Sequence, residues 1–176
     1  GWRDVPINEE HCGQLSLTTR PHIAQVFAKP VLDMDEDALE RRLYLARKIA
    51  ENAATSLGEA LARDFYVCSL SARTIVYKGM LISRQVAGFF PDLADTAFKS
   101  AICLVHSRFS TNTLPTWRLA QPFRYLAHNG EINTLRGNIN WMAAREHLFE
   151  SPLFGNDIKK LVPIIDPTQS DSAIYD

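Results

Sequence analysis

Cysteine is scarce in this chain and is not arranged for cross-linking or metal binding. Only three of the 176 residues are cysteines, and Cys12, Cys68 and Cys103 share no Cys-x-x-Cys spacing. An odd, scattered set argues against a disulfide framework or a zinc ribbon and fits a reducing compartment. Glycine clusters followed by Lys-Ser or Lys-Thr are also absent, which excludes a phosphate-binding loop of that type.

Long apolar runs and blocks of like charge are missing as well. No run approaches the roughly 18 residues that a bilayer-spanning helix needs, and the first residues lack the basic-then-apolar pattern of a signal peptide. The formal net charge is −1, with lysines and arginines scattered along the chain, so a nucleic-acid footprint is lacking. We therefore expect no membrane and no nucleic-acid partner, and a cytoplasmic protein or one that is organellar after processing.

The composition that is present is that of an ordinary globular domain. Hydrophobic residues make up 46% and charged residues 22% of the chain, close to the average. A chain of 176 residues fits one domain with a sizeable core. Trp2, Trp117 and Trp141 are expected to be core or interface anchors.

The clearest predicted element is a helix over residues 35–57. Its apolar positions recur three and four residues apart and define one face, formed by Leu39, Leu43, Ala46, Ala50, Ala53 and Leu57. Asp33 with Glu36 resembles a capping box at its start, and Gly58 is a candidate for the residue after the C-cap. The opposite face is predicted to be solvated and carries Glu40, Arg41, Arg47, Lys48 and Glu51.

The rest of the pattern mixes strands with helices. The predicted strands are a short one at 20–28, a hairpin of 65–70 with 74–77, a strand buried on both faces at 100–106, and another at 123–127. Further helices are predicted over 83–90, where Pro91 would stop the helix, and over 138–149. This order predicts an α+β domain.

Arg108 is the first candidate for ligand binding. It follows the apolar run 100–106, within His-Ser-Arg-Phe-Ser-Thr-Asn at 106–112. A guanidinium holds a carboxylate through two parallel hydrogen bonds, which a lysine does not reproduce. The competing interpretation is a salt-bridged or surface arginine, which holds for most arginines; the polar run around Arg108 favours a binding role.

Asn129 and Gly130 are suited to stabilise an oxyanion. Amide hydrolysis passes through a tetrahedral oxyanion, and each preorganised donor lowers that barrier by about 3 kcal/mol. The side-chain amide of Asn129 and the backbone N–H of Gly130 are such donors on one turn. Asn-Gly is also the commonest type I′ hairpin signal, and from these two residues alone the plain turn is favoured.

Asp171 lies in Gln-Ser-Asp-Ser-Ala at 169–173. Its carboxylate could pair with a substrate ammonium group, or it could cap the N-terminus of a following helix. From spacing alone the cap is favoured.

Two histidines close to these motifs raise the question of a metal. His106 and His128 have only Cys103 as a nearby third ligand, and neither His-x-His nor His-Glu-x-x-His spacing is present. We expect both to be strand-end histidines with structural hydrogen bonds. A metal-dependent hydrolase built on them is an alternative that a metal assay would reveal.

Together, residues 106–113, 128–138 and 170–173, with Gly-Trp-Arg-Asp-Val-Pro at 1–6, resemble the glutamine amidotransferase domain of the glutamate synthase large subunit. This is a class II amidotransferase of the N-terminal-nucleophile (Ntn) hydrolase superfamily. The resemblance implies that Arg108 binds the α-carboxylate of L-glutamine and Asp171 its α-amino group, while Asn129 and Gly130 form the oxyanion hole. It also implies that 1–176 is part of a single glutamine amidotransferase domain. The fold would be the four-layer αββα Ntn-hydrolase sandwich, incomplete at the N-terminal side.

The resemblance further implies partners and cofactors outside this chain. The family's nucleophile is a cysteine at residue 1 that uses its own α-amine as base; here residue 1 is glycine. We therefore expect an internal fragment that is inactive alone and that self-associates or is partly disordered. The parent enzyme would carry FMN and an iron–sulfur cluster, with no cofactor in this fragment. It would receive electrons from a small subunit or ferredoxin and use the released ammonia to aminate 2-oxoglutarate. The alternative is a non-catalytic glutamine- or amino-acid-binding module.

Overall fold

Two short strands begin the fold. The computed structural model describes residues 1–109, 114–126, 128, 132 and 134–176. Strand β1, Trp2–Asp4, pairs antiparallel with β2, Ala24–Val26, so that Arg3 lies opposite Gln25. A 3₁₀ helix, Glu9–His11, and the helix α1, Gln14–Leu17, lie between them. The strand predicted at 20–28 is thus confirmed in its central part.

The long helix α2, Glu36–Ser56, confirms the clearest prediction, although its cap differs. The side chain of Asp35 accepts a hydrogen bond of 2.6 Å from the Ala38 N–H, so the expected cap at Asp33 is wrong by two residues. Gly58 follows the C-cap Leu57 with a φ of 132°, a conformation that favours glycine. The helix α3, Glu59–Asp64, begins directly afterwards.

The prediction of a solvated charged face on α2 is wrong. Lys48 is only 8% exposed, whereas Leu57, on the predicted apolar face, is 75% exposed. The Lys48 Nζ donates to the Ile164 carbonyl at 3.3 Å, and Asn52 Nδ2 donates to the Val162 carbonyl at 3.2 Å. These side chains satisfy carbonyl groups of an irregular segment, so the polar side of the helix becomes buried.

The main core forms where α4, Ser83–Phe89, meets the beginning of the chain. A 3₁₀ helix, Pro91–Ala94, follows α4, so the prediction that Pro91 stops a helix over 83–90 is confirmed. The buried residues of the main core form one cluster, made of Val5, Cys12, Phe89, Phe90 and Trp117. The rings of Phe89 and Phe90 meet edge to face at 4.8 Å between centroids, a favoured aromatic geometry.

The predicted hairpin and the two predicted strands further along do not form in the described residues, where β1 and β2 make the one sheet. Side-chain oxygens take backbone N–H groups that a strand partner would otherwise bind. The Ser71 Oγ accepts from Arg73 and Thr74, and the Ser69 Oγ accepts from Val76.

Further along the chain, side chains again bind backbone groups in place of a neighbouring strand. The Ser100 Oγ bonds both the N–H and the carbonyl of Ile102. The N–H groups of Arg124 and Tyr125 go to the Asp176 carboxylate. Residues 100–106 were predicted to be buried on both faces, yet Ile102 and Val105 are each 76% exposed.

The C-terminal part is helical. The helix α5, Leu135–Arg145, continues into a 3₁₀ helix, Glu146–Leu148, which confirms the predicted helix over 138–149 with an earlier start. A 3₁₀ helix, Gly155–Leu161, and the short helix α6, Asp171–Tyr175, complete the described elements.

The mixture of helices and strands is that of an α+β domain. Of the three tryptophans, Trp117 is buried as predicted, whereas Trp2 and Trp141 are 80% and 70% exposed and lie outside the core. None of the helices in these ranges combines the length and apolarity needed to cross a bilayer.

Candidate functional site

His106 links the segment that carries Arg108 to residue 128. Its Nδ1 accepts the backbone N–H of Arg108 at 3.1 Å, and its Nε2 lies 2.6 Å from the His128 carbonyl oxygen. A carbonyl oxygen only accepts, so Nε2 carries the proton and Nδ1 carries the lone pair. The two contacts together therefore require the neutral Nε2–H tautomer of His106.

His128 continues this path to α6. Its Nε2 lies 2.8 Å from the Ser172 Oγ, and that hydroxyl lies 3.1 Å from the Asp171 Oδ1. A serine hydroxyl has one proton, which goes to the carboxylate acceptor, so the His128 Nε2–H donates to Ser172. The Ser172 N–H also donates to the same Asp171 oxygen at 2.6 Å. Asp171 is thereby held in place as an acceptor.

Both ends of α6 are anchored against the chain that leads to His128. At its start Ser170, 2% exposed, accepts the Ala173 N–H at 3.3 Å as N-cap. At its end the fully buried Asp176 side chain accepts the Arg124 N–H at 2.9 Å and is paired with the Arg124 guanidinium. The orientation of Asp171 is therefore fixed by the whole short helix.

The structure brings two of the four predicted site residues into one hydrogen-bonded path. Arg108 is exposed and Asp171 is half-buried, and His106, His128 and Ser172 connect them. Asn129 and Gly130, predicted as the oxyanion hole, lie outside the described residues. The alternative role of Asp171 as a helix cap is wrong, because Ser170 is the cap and Asp171 is the first helical residue.

The sequence patterns did not predict that His106, His128 and Ser172 act as connectors. The structural hydrogen bonds expected of both histidines are confirmed, but the strands expected to end at these histidines do not form in the described residues. Their position next to each ligand motif was the signal available. Spacing alone could not reveal that a histidine bridges to another motif.

Metal ligands are not clustered in the part of the chain that the structure describes. Within the described ranges no three His, Cys, Asp or Glu side chains converge closely enough to hold a metal ion. Both ring nitrogens of His106 are already engaged by protein groups. The cysteines are free thiols in three different environments, Cys12 buried, Cys68 half-buried and Cys103 exposed.

A second polar region surrounds the ring of Tyr66. The Lys78 Nζ donates to the Tyr66 hydroxyl at 3.0 Å and to the Arg118 carbonyl at 2.8 Å, and it lies 4.6 Å from the centre of the Phe123 ring. Burial lowers the pKa of Lys78 to about 8 and raises the pKa of Tyr66, because desolvation disfavours a charged side chain.

This cluster borders a cavity of about 720 Å³ between α2 and residues 163–169. Its lining includes neither Arg108 nor Asp171. Each of its four arginines is paired with a carboxylate: Arg47 with Glu51, Arg63 with Asp64, Arg118 with Asp166, and Arg124 with Asp176 and Glu51. The arginine charges are therefore compensated within the protein, as expected of a structural network.

Comparison with known proteins gives a match along the complete chain. Residues 1–176 match the family described as Glutamine amidotransferases class-II. The sequence is 53% identical to the glutamate synthase [NADPH] large chain of Bacillus subtilis (strain 168). It is 48% identical to ferredoxin-dependent glutamate synthase 2, chloroplastic, of Arabidopsis thaliana and 49% identical to glutamate synthase [NADH] of Saccharomyces cerevisiae.

Each of these alignments covers 100% of this chain but only a small part of the relative. The covered share is 11% of the Bacillus and Arabidopsis proteins and 8% of the yeast protein. The names of these three relatives specify three different electron donors, NADPH, ferredoxin and NADH, at nearly equal identity to this chain. The residues compared therefore do not discriminate between donors.

Proposed function

We propose that this chain, which belongs to the class-II glutamine amidotransferases, forms the glutamine-binding and oxyanion-stabilising part of the glutaminase domain of a glutamate synthase. The observation that carries the proposal is the hydrogen-bonded path from the Arg108 backbone through His106, His128 and Ser172 to Asp171. It links the backbone of a cationic residue, Arg108, to the carboxylate of Asp171. A free amino acid presents the complementary pair of charges.

In this proposal each charged side chain recognises one group of L-glutamine. The Arg108 guanidinium binds the α-carboxylate through parallel hydrogen bonds, and the Asp171 carboxylate binds the α-ammonium group. With both ends of α6 fixed, Asp171 needs little reorganisation when the ligand binds, which favours affinity.

The chemistry is acyl transfer from the side-chain amide of glutamine. A cysteine thiolate attacks the amide carbon, and the resulting oxyanion accepts hydrogen bonds from the Asn129 side chain and the Gly130 N–H. The amide nitrogen is protonated and leaves as ammonia. Water then hydrolyses the thioester to glutamate. His128 directly precedes these two donors in the chain, so the path described above includes the residue next to them in sequence.

We assign the nucleophile to none of the three cysteines of this chain. The mechanism needs a thiol beside a free α-amine, and Cys12, Cys68 and Cys103 are internal residues. Burial raises the pKa of Cys12 and of Cys68, which disfavours the reactive thiolate. We expect residues 1–176 alone to bind glutamine without hydrolysing it.

The larger protein remains part of the proposal. The released ammonia would pass to a separate site that aminates 2-oxoglutarate, where FMN and an iron–sulfur cluster supply redox chemistry. Neither group enters the steps assigned to this chain. The amidotransferase domain would adopt the four-layer αββα Ntn-hydrolase sandwich, with residues 1–176 as part of it.

Glutamine hydrolysis by the intact protein that contains residues 1–176 tests the proposal. Wild-type protein should release glutamate and ammonia in equal amounts. Asn129→Ala should lower kcat by about 100-fold or more with a much smaller change in KM, since the oxyanion exists only after attack. Binding of glutamine without hydrolysis by the intact protein would favour the amino-acid-binding module, and a failure to bind glutamine would contradict both functions.

A further inference from the structure

His106 is a neutral bridge between two loops. We propose that His106 is a positioning residue of the glutamine site, whose imidazole holds the Arg108 backbone and the His128 carbonyl, directly before Asn129 in the sequence, at a fixed separation. This inference rests on the proposed function, because it assigns the two sides of the bridge to substrate binding and to catalysis. The imidazole touches neither the substrate nor the reacting atoms in this account, so its effect is exerted through its two hydrogen bonds.

The hydrogen bond from His106 to the His128 carbonyl holds the peptide plane between residues 128 and 129. The carbonyl of residue 128 and the N–H of residue 129 belong to one planar unit, and the carbonyl is held by the His106 Nε2 at 2.6 Å. Rotation of this plane would change the direction in which the chain enters Asn129. Fixing the carbonyl therefore fixes the point from which the chain continues to Asn129 and Gly130, the proposed oxyanion donors.

The bond to Arg108 has a different consequence. The His106 Nδ1 accepts the Arg108 N–H at 3.1 Å, and residues 106–108 thereby form a local turn closed by a side chain. This bond orients the backbone from which the Arg108 side chain extends. The two ring nitrogens thus serve separate purposes. Nδ1 orients the Arg108 backbone for substrate binding, and Nε2 holds the residue that precedes the proposed oxyanion donors.

Two amide side chains can separate these purposes. In His106→Asn, the side-chain oxygen lies near the former Nδ1 position and can accept the Arg108 N–H, but the side chain is too short to reach residue 128. In His106→Gln, the side-chain nitrogen extends to the former Nε2 position and can donate to the His128 carbonyl. His106→Ala removes both interactions.

The experiment measures glutamine hydrolysis by the intact protein that contains residues 1–176. We expect His106→Ala to lower kcat and to raise KM, each by about 10-fold, the size of one lost hydrogen bond. His106→Gln should restore most of kcat, and His106→Asn should restore KM but not kcat. His147→Ala, an exposed histidine on a 3₁₀ helix, is the matched control and should resemble the wild type.

Thermal unfolding of each variant separates positioning from misfolding. A merely structural role would lower the apparent kcat in proportion to the lost folded protein and leave KM unchanged, with the Asn and Gln variants alike. Equal parameters for Asn and Gln, or wild-type parameters for His106→Ala, would overturn the inference while leaving the proposed function intact. A wild-type protein that does not hydrolyse glutamine would overturn the proposed function and this inference with it.

Discussion

The Nε2 atom of His106 lies 2.6 Å from the carbonyl oxygen of His128, which is 22 residues further along the chain. The segment that carries Arg108 is thereby joined to the residue that directly precedes Asn129. Groups held in place before binding need less reorganisation at the moment of reaction.

Arg108 should contribute to substrate affinity through the geometry of its guanidinium. Arg108→Lys keeps the positive charge but loses the parallel pair of hydrogen bonds, so KM for glutamine should rise by about 10- to 100-fold. Arg145→Ala, an exposed arginine at the end of α5, should leave KM unchanged. Steady-state hydrolysis by the intact protein checks both variants, and an Arg108→Lys protein with wild-type KM would contradict this role.

Asp171 and Ser170 should separate ligand binding from helix stability. Asp171→Asn removes the charge that faces an ammonium group and should weaken glutamine binding by about 10-fold or more, while the Ser170 cap is kept. Ser170→Ala removes a buried cap hydrogen bond and should lower the unfolding free energy by about 1 kcal/mol. Calorimetric titration and chemical denaturation of both variants distinguish the effects. An equal loss of glutamine affinity in both variants would mean that Asp171 contributes to binding only through the stability of α6.

Two glycines should respond oppositely to replacement by alanine. A Cβ atom at Gly79 would lie 2.8 Å from the Cε3 atom of the buried Trp117, so Gly79→Ala should destabilise the fold by about 1–3 kcal/mol. Gly137 lies inside α5, and a Cβ there would have open space. Gly137→Ala should therefore stabilise it by about 0.5–1 kcal/mol. Denaturant unfolding of the two variants provides the comparison. Changes in unfolding free energy of the same sign would be inconsistent with this packing.

Lys78 should make stability increase with pH in the alkaline range. Burial lowers its pKa from 10.5 to about 8, so below about pH 8 both states are protonated and the cost of burying the charge is fully present. Above that pH the folded state loses its proton before the unfolded state does, and the unfolding free energy contributed by Lys78 rises by at most about 3 kcal/mol.

Lys78→Met isolates this contribution because methionine keeps the volume without titrating. The difference in unfolding free energy between the wild type and this variant should become more favourable to the wild type from about pH 8 to pH 10. Denaturation curves at matched ionic strength give the difference. A difference that stays constant over this range would show that the Lys78 charge is not destabilised by burial.

Helices of this chain could be predicted from local signals. The starts and ends of α2 and α4 depend on residues next to them, such as Asp35 and Pro91. A helix satisfies its own backbone, so local sequence carries most of the information. The exact cap of α2 differed by two residues because Asp33 and Asp35 both have suitable side chains.

Apart from β2, the predicted strands do not form in the described residues, and the buried side of α2 could not be predicted from local signals. A strand needs a partner, and at residues 100–106 and 123–126 side-chain oxygens bind backbone groups instead. An amphipathic pattern assigns lysines to solvent, but Lys48 finds the Ile164 carbonyl in the interior. For the site, the motifs indicated Arg108 and Asp171, whereas their connection through other residues required three-dimensional contacts.

The most direct test of the central claim is a crossed comparison of ligands and variants. Binding of L-glutamine, of 4-aminobutanamide, which lacks the α-carboxylate, and of glutaramate, which lacks the α-ammonium group, would be measured on the intact protein and on two variants. We predict that Arg108→Ala weakens L-glutamine and glutaramate but leaves 4-aminobutanamide unchanged, and that Asp171→Asn weakens L-glutamine and 4-aminobutanamide but leaves glutaramate unchanged. Equal weakening of all three ligands by either variant would contradict the assignment of one charge to each residue.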